Sequence, residues 1–222
     1  MEIIDGKITD YNERGVLTVV ADYPNSDKFL RCGYKTARIV LNDSRTITPE
    51  QRKKAYALLN EINDYTGEMP EYTKRLFKLK FVAERQKELA DSLFSLSDCS
   101  VTQASDFIDY LVDFILEYDI PTKVPLAELC DDIRRYVYAC AMHKKCAVCG
   151  KKAELHHIDA VGMGNDRKEI VHVGRLALSL CRVHHSEFHD VGNKAFAETH
   201  HLEPVKIDEK LVNIYKLGGK KK

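Results

Sequence analysis

Cysteine and histidine side chains with metal-ligand spacing are concentrated in the last third of the sequence. Cys146-Ala-Val-Cys149 is followed 32 positions later by Cys181-Arg-Val-His184. Two residues separate the members of each pair, and a tight turn of that length directs both side chains at one ion. A structural metal would also contribute folding energy to a small domain with little core. We therefore predict a tetrahedral Zn²⁺ site formed by Cys146, Cys149, Cys181 and His184.

A second group of histidines lies between these two ligand pairs and directly after them. His185 and His189 are four residues apart, so on a helix they share one face and can bind a single ion. His156 and His157 are adjacent in a segment that reads as a short strand, where neighbouring side chains point to opposite faces. One of them can complete a three-histidine metal site while the other faces a substrate. Three protein ligands leave coordination positions open, which is typical of a catalytic metal.

The elements that must position these side chains can be predicted from the pattern between them. Residues 154–158 are expected to form a strand, residues 159–166 a loop, residues 175–180 a second strand, and residues from Val183 onward a helix. In this strand–loop–strand–helix unit, zinc would tie the turn at Cys146 to the start of the helix.

The stretch from Cys146 to His189 resembles the HNH, or ββα-metal, nuclease family, and its histidine groups resemble those of the colicin DNases. The resemblance implies that His157 is the general base, which takes a proton from the water that attacks phosphorus. Imidazole titrates near pH 6.5 and suits this role. The resemblance also implies a divalent cation such as Mg²⁺, Mn²⁺, Ni²⁺ or Zn²⁺, which would stabilise the pentacoordinate phosphate and the leaving 3′ oxygen. Its ligands would be His156, His185 and His189.

The sequence departs from that family at the middle asparagine, which usually precedes the second zinc-ligand pair and braces the loop between the strands. The stretch from His172 to Cys181 contains no asparagine. His172 or Arg175 could take its place, and so could Asn165 from the loop. The alternative interpretation of the module is a structural zinc domain that binds DNA without cutting it.

The N-terminal two-thirds contain no catalytic cluster. Strands are predicted at residues 3–8, 16–21 and 35–41, and helices at residues 48–67, 70–90, 100–116 and 125–143. The first of these helices begins with the capping box Thr48-Pro-Glu-Gln51. We interpret the apolar stripes of the helices as core.

This region resembles the phage recombination proteins of the lambda NinB (Orf) type, most clearly over residues 42–62 and more weakly over residues 74–82 and 103–120. The whole chain is similar to HNHc nucleases encoded in recombination regions of phages of Gram-positive bacteria. The resemblance implies single-stranded, double-stranded or branched DNA as partner, with a single-strand-binding protein and a second copy of the chain as further candidates. Residues 51–54, with Arg45 nearby, could contact phosphates or form a solvated helix start.

Composition limits the remaining choices. With 44% hydrophobic and 31% charged residues, the chain is typical of a globular protein. It has no apolar run of about 18 residues and no signal-peptide pattern, so we expect it in the bacterial host cytosol. Residues 131–222 hold 17 basic against 12 acidic residues, which suits a polyanionic partner.

We predict an α+β fold, with N-terminal strands followed by a helical region and then a small zinc-stabilised ββα-metal domain. The proposed domains are residues 1–143, which would bind DNA, and residues 144–222, which would cut it. The predicted function is a metal-dependent HNH endonuclease in phage DNA recombination or replication. The alternative is a non-cleaving, single-stranded-DNA-binding recombination mediator with a structural zinc module.

Overall fold

The structure is a computed structural model that describes residue 4 and residues 6–33, 35–36, 45–86, 94–158 and 171–218. The chain divides into two compact units, Met1–Asn42 and Asp43–Lys222. Within the described residues, no helix combines the length and apolar character needed to cross a membrane.

The first unit contains an antiparallel hairpin of β1 (Gly6–Tyr11) and β2 (Leu17–Ala21), close to two of the predicted strands. It also contains a helix that we did not predict, α1 (Ser26–Cys32). The Asn25 side chain accepts a hydrogen bond from the Lys28 N–H at the start of this helix. Most of the third predicted strand, at residues 35–41, lies outside the described residues.

The second unit begins with the predicted capping box. The Gln51 N–H donates to Thr48 Oγ1 at 3.1 Å, and the Thr48 N–H donates to Gln51 Oε1 at 3.2 Å. These bonds start α2 (Pro49–Thr66), which is followed by α3 (Pro70–Phe81) and a π-helical turn (Val82–Gln86). The rest of the helix predicted at residues 70–90 lies outside the described part of the chain.

The prediction of one continuous helix from residue 125 to residue 143 was wrong, because the chain leaves the helical path at residues 130–132. After α4 (Val101–Glu117), the chain forms two helices, α5 (Leu126–Leu129) and α6 (Ile133–Met142). The Asp132 carboxylate accepts hydrogen bonds from the backbone N–H groups of Arg134 and Arg135. An aspartate in this arrangement caps a new helix and therefore ends the continuous helical path.

The C-terminal region has a three-stranded antiparallel sheet in the order β3-β4-β5. Its elements, in chain order, are β3 (Glu154–His157), β4 (Leu176–Leu180), α7 (Arg182–Val191), α8 (Asn193–His200), β5 (Val205–Lys206) and α9 (Glu209–Tyr215). The predicted order of strand, strand and helix is confirmed by β3, β4 and α7. The predicted loop between the two strands falls on residues that the structure does not describe.

One apolar core extends from the helices into the sheet. Phe107 of α4 and Val137 of α6 are fully buried in the same cluster as Leu178 of β4 and Phe196 of α8. The predicted boundary between residues 143 and 144 therefore lies inside one compact unit. The mixed α and β content agrees with the predicted class, and the division of function between residues 1–143 and 144–222 stays a prediction.

Candidate metal centre and histidine site

The turn that carries Cys146 and Cys149 is closed by backbone hydrogen bonds. Gly150 has a φ of +69° and donates its N–H to the Cys146 carbonyl at 2.8 Å. The Cys146 N–H donates to the Lys151 carbonyl at 2.7 Å. Glycine adopts the left-handed region at little cost, so the sequence favours a turn that points both thiols the same way.

The second pair of side chains lies at the start of α7. Cys181 is the N-cap residue of this helix, and His184 follows within its first turn. Cys181 Sγ lies 3.2 Å from His184 Nδ1, and Cys149 Sγ lies 3.7 Å from Cys181 Sγ. Cys146 Sγ lies 3.4 Å from His184 Nδ1. Ligands of a tetrahedral Zn²⁺ ion are separated by roughly 3.5–3.8 Å for Zn–S and Zn–N bonds of ordinary length. The three distances lie within or slightly below this range, so these four side chains are close to the spacing that zinc requires.

The thiols of this cluster differ in acidity. Burial raises the pKa of the Cys146 thiol to about 11. Burial also acts to raise the pKa of Cys181, but hydrogen bonds from the backbone N–H groups of His184 and Val183 and contacts with the other thiols lower it overall. Metals bind the thiolate form, which backbone N–H groups at a helix N-terminus favour.

Two hydrogen bonds attach the Cys146 turn to the rest of the fold. The Ala147 N–H donates to the carbonyl of Ser179 on β4 at 2.9 Å. The buried Tyr136 hydroxyl on α6 donates to the Ala147 carbonyl at 3.0 Å. The turn is therefore held from both the sheet and the helical region.

Three histidines from β3 and α7 form a second cluster. His156 on β3 is only 6% exposed, and its Nδ1 lies 2.8 Å from His185 Nε2. His189 lies one turn further along α7, with its ring centroid 5.0 Å from that of each of the other two histidines. One ligand atom from each of the three lies within 4.8 Å of the others. The structure therefore brings together the three predicted ligands of the catalytic ion.

The environment of this cluster favours neutral imidazoles. Burial, followed by the neighbouring His185 and His189, lowers the pKa of His156 to about 4. Burial also lowers the pKa of His185. The Phe188 ring packs against His156 at a centroid distance of 4.3 Å and closes one side of the cluster. A metal binds the neutral form of imidazole, so the surroundings of His156 and His185 favour the form that a cation requires.

One polar atom in this cluster also lacks a partner. Within the described residues, the buried Nε2 of His156 has no hydrogen-bond partner. A buried polar group without a hydrogen bond costs free energy. The other nitrogen of this ring, Nδ1, is the one that faces Nε2 of His185. A cation bound between these two nitrogens would relieve their close approach, so the donor set fits a divalent metal with imidazole ligands.

His157 has different neighbours from His156, as expected for adjacent residues of a strand. Its Nε2 lies 2.9 Å from Nδ1 of His172, and Nε2 of His172 lies 2.8 Å from the carbonyl oxygen of Gly218. Of the two candidates to replace the middle asparagine that the structure describes, His172 contacts the predicted base. The Arg175 guanidinium donates instead to the Val171 carbonyl at 2.9 Å, and residue 165 lies outside the described residues.

The part played by Gly218 was missed by the sequence analysis, which assigned no role to the C-terminal tail. A signal for an ordered element was present in Asp208 and the apolar residues after it. Asp208 Oδ1 accepts from the Leu211 N–H and caps α9, and Leu211 is fully buried. The tail is therefore preceded by helix α9, which packs on the core and positions Gly218 next to His172.

Three of the four candidate phosphate-binding residues of α2 have partners within the chain. Gln51 is buried, and its side-chain amide donates to Asp131 Oδ2 at 2.8 Å and to the Val101 carbonyl. Arg52 donates to two backbone carbonyls of residues 96 and 97, and Lys54 donates to that of residue 130. These three side chains join α2 to neighbouring segments, and phosphate contact by residues 51–54 stays a prediction.

Comparison with known protein families gives a match over most of the chain. The family model described as "Putative HNHc nuclease" matches residues 20–218. No curated protein and no solved structure matches the chain. The matched range includes both cysteine and histidine clusters, the helical region and Gly218, so the match covers far more than an isolated motif.

Proposed function

The chain belongs to this family of HNHc nucleases, and we propose that it is a metal-dependent endonuclease that hydrolyses the phosphodiester bonds of DNA. The arrangement of His156 and His157 carries the proposal. On β3, His156 lies in a cluster with two other histidines. Its neighbour His157 belongs to a separate hydrogen-bonded chain with His172. A hydrolytic site needs this separation of metal ligand from base.

We propose that His156, His185 and His189 hold the catalytic divalent cation. When bound, the cation would stabilise negative charge on the phosphate and on the leaving 3′ oxygen. His157 accepts a proton from a water molecule, and the water oxygen forms a bond to phosphorus. The bond from phosphorus to the 3′ oxygen breaks, the leaving oxygen takes a proton from solvent, and the products are a 5′ phosphate and a 3′ hydroxyl.

We also propose that Cys146, Cys149, Cys181 and His184 hold a structural Zn²⁺. Four protein ligands close the coordination sphere, so this ion would have no position for substrate. It would fasten the Cys146 turn to the first turn of α7. Since His185 and His189 lie on the same helix, the zinc would fix the orientation of the catalytic ligands.

The biological setting is proposed from the sequence. The resemblance of residues 42–62 to recombination proteins of the NinB type supports a role in phage DNA recombination or replication. In this proposal residues 1–143 bring the chain to DNA and residues 144–222 cut it. The family match begins at residue 20 and is consistent with both regions acting in one protein.

A cleavage assay on defined DNA forms tests the proposal. Supercoiled plasmid and a branched junction are incubated with the full-length protein and Mg²⁺, Mn²⁺, Ni²⁺ or Zn²⁺, with a chelator as the negative control. We expect nicked or linear products that require the cation. If the folded, zinc-containing protein binds DNA but leaves every substrate intact with every cation, the nuclease proposal is wrong, and the non-cleaving mediator takes its place.

A further inference from the structure

We infer that His172 is a positioning residue that orients the proposed base His157, and that the backbone carbonyl of Gly218 fixes the tautomer of both rings. The inference rests on the proposed nuclease function, in which His157 receives a proton from water. Its structural basis is the continuous chain from His157 Nε2 to His172 Nδ1 at 2.9 Å, and from His172 Nε2 to the Gly218 oxygen at 2.8 Å.

The direction of the hydrogen bonds follows from the chemistry of the last group. A carbonyl oxygen only accepts hydrogen bonds, so Nε2 of His172 carries the hydrogen. In a neutral His172 the lone pair is then on Nδ1, which accepts a hydrogen bond from Nε2–H of His157. His157 therefore carries a hydrogen on Nε2, on the side of its ring that faces His172. In the proposed reaction the bond to His172 becomes charge-assisted once His157 has taken the proton from water.

The backbone around His172 is held in place at the edge of the sheet. The Arg175 N–H donates to the His172 carbonyl at 3.2 Å, which closes a turn. Gly174, with a φ of +87°, donates its N–H to the carbonyl of Ile207 at 2.8 Å. Because Ile207 follows β5, the turn is tied to the strand beyond β4, and His172 does not depend on its side-chain contacts for its position.

The Gly218 carbonyl is positioned by the docking of α9. Leu211 of this helix packs in a small buried cluster with Ala141 of α6, Ala177 of β4 and Ile207. Ala177 is also the cross-strand partner of His157. At the end of α9 the Leu217 N–H donates to the Val212 carbonyl at 3.0 Å. Ala177 therefore links the position of α9 to the position of His157.

Substitution of His172 separates positioning from packing. In His172→Asn, Oδ1 occupies the place of Nδ1 and can still accept from His157, but the side chain cannot reach Gly218. His172→Leu keeps a similar volume and removes the acceptor. We expect the single-turnover cleavage rate of His172→Leu to fall roughly 10–100-fold, the range for loss of a second-sphere partner, with DNA affinity and metal affinity unchanged. His172→Asn should recover most of the rate. Equal rates for His172→Leu and wild type, or equal losses in both variants, would overturn the inference.

Histidine tautomers give a readout that does not require cleavage. Long-range proton–nitrogen NMR spectra of ¹⁵N-histidine-labelled protein should show both His157 and His172 as the Nε2–H tautomer. Truncation after Leu217 removes the Gly218 carbonyl and should release the tautomer of His172, whereas truncation after residue 219 is the matched control and should not. If the protein cuts DNA but the hydrogen of His157 is on Nδ1, the hydrogen-bonded chain is wrong and the nuclease function stands. The expected tautomers in a protein that cuts no DNA would reject the nuclease function and leave the chain standing.

Discussion

The Nδ1 atom of His156 lies 2.8 Å from the Nε2 atom of His185, across the junction between β3 and α7. Two imidazole ligands of one tetrahedral Zn²⁺ ion are separated by roughly 3.3 Å, because each Zn–N bond is about 2.0–2.1 Å long. The fold alone thus brings these nitrogens close to ligand spacing. Sheet pairing fixes one of them and the start of α7 fixes the other, so the metal site depends on the relation between these two elements.

Removal of one imidazole should disable the metal site without unfolding the protein. His185 is only partly buried, and His185→Ala leaves two ligands in place of three. We expect the affinity for Mn²⁺ or Ni²⁺, measured by calorimetry on zinc-containing protein, to fall by more than the roughly 10–100-fold typical of losing a second-sphere partner. The control is Val183→Ala on the same helix, where the side chain is 73% exposed. Unchanged affinity in His185→Ala would show that the ion binds elsewhere.

Loss of one thiol should remove the structural zinc and the stability that depends on it. In Cys146→Ser the cluster loses a buried thiol and keeps three of its four ligands. Structural zinc contributes about 10–16 kcal/mol in small domains, comparable to the whole stability of about 5–15 kcal/mol for a typical domain. We expect less than one zinc per chain by mass spectrometry and a broad, early unfolding transition. Cys32→Ser, at an exposed position, should retain both zinc and wild-type unfolding, and zinc retained by Cys146→Ser would contradict the assignment.

The hydroxyl of Tyr136 should stabilise the Cys146 turn independently of zinc. Tyr136→Phe removes the bond to the Ala147 carbonyl and leaves a buried acceptor without its donor. The expected loss is about 1–3 kcal/mol in the free energy of unfolding, measured by denaturant titration, with zinc content unchanged. Tyr65→Phe is the matched control because Tyr65 is 58% exposed. A loss of the same size in both variants would mean that the bond from helix to turn contributes nothing specific.

The lowered pKa of His156 predicts how the stability of the protein without catalytic metal depends on pH. An unfolded histidine titrates near pH 6.5, whereas His156 in the folded state titrates near 4. As the pH falls through this window, the unfolded state takes up the proton first, so the contribution is complete above pH 6.5 and is lost towards pH 4.

His156→Gln isolates this contribution from the titration of the zinc ligands. Denaturant unfolding is measured from pH 4 to pH 8 on both proteins with one equivalent of zinc. The wild type should lose more stability than His156→Gln between pH 6.5 and 4. Identical slopes would show that His156 is not held neutral by its surroundings.

How much of this site could be predicted depended on the range of the interactions. The ligand spacing of Cys146 and Cys149, and the capping box at Thr48, are local patterns and needed no knowledge of the fold. Asp132 is also local, but its capping role competes with an apolar helical stripe, and the stripe dominated the prediction. The contact between His172 and Gly218 joins residues 46 positions apart. It depends on how α9 docks, and no local pattern encodes that docking.

The most direct test of the account compares His156→Ala with His157→Ala, since adjacent residues of β3 are assigned different tasks. Single-turnover cleavage of plasmid DNA and Mn²⁺ binding are measured on the same zinc-containing preparations. The account predicts that both variants lose cleavage, that His156→Ala also loses Mn²⁺ binding, and that His157→Ala binds Mn²⁺ as the wild type does. Cleavage at the wild-type rate by His157→Ala, or loss of Mn²⁺ binding in His157→Ala with normal binding in His156→Ala, would contradict it.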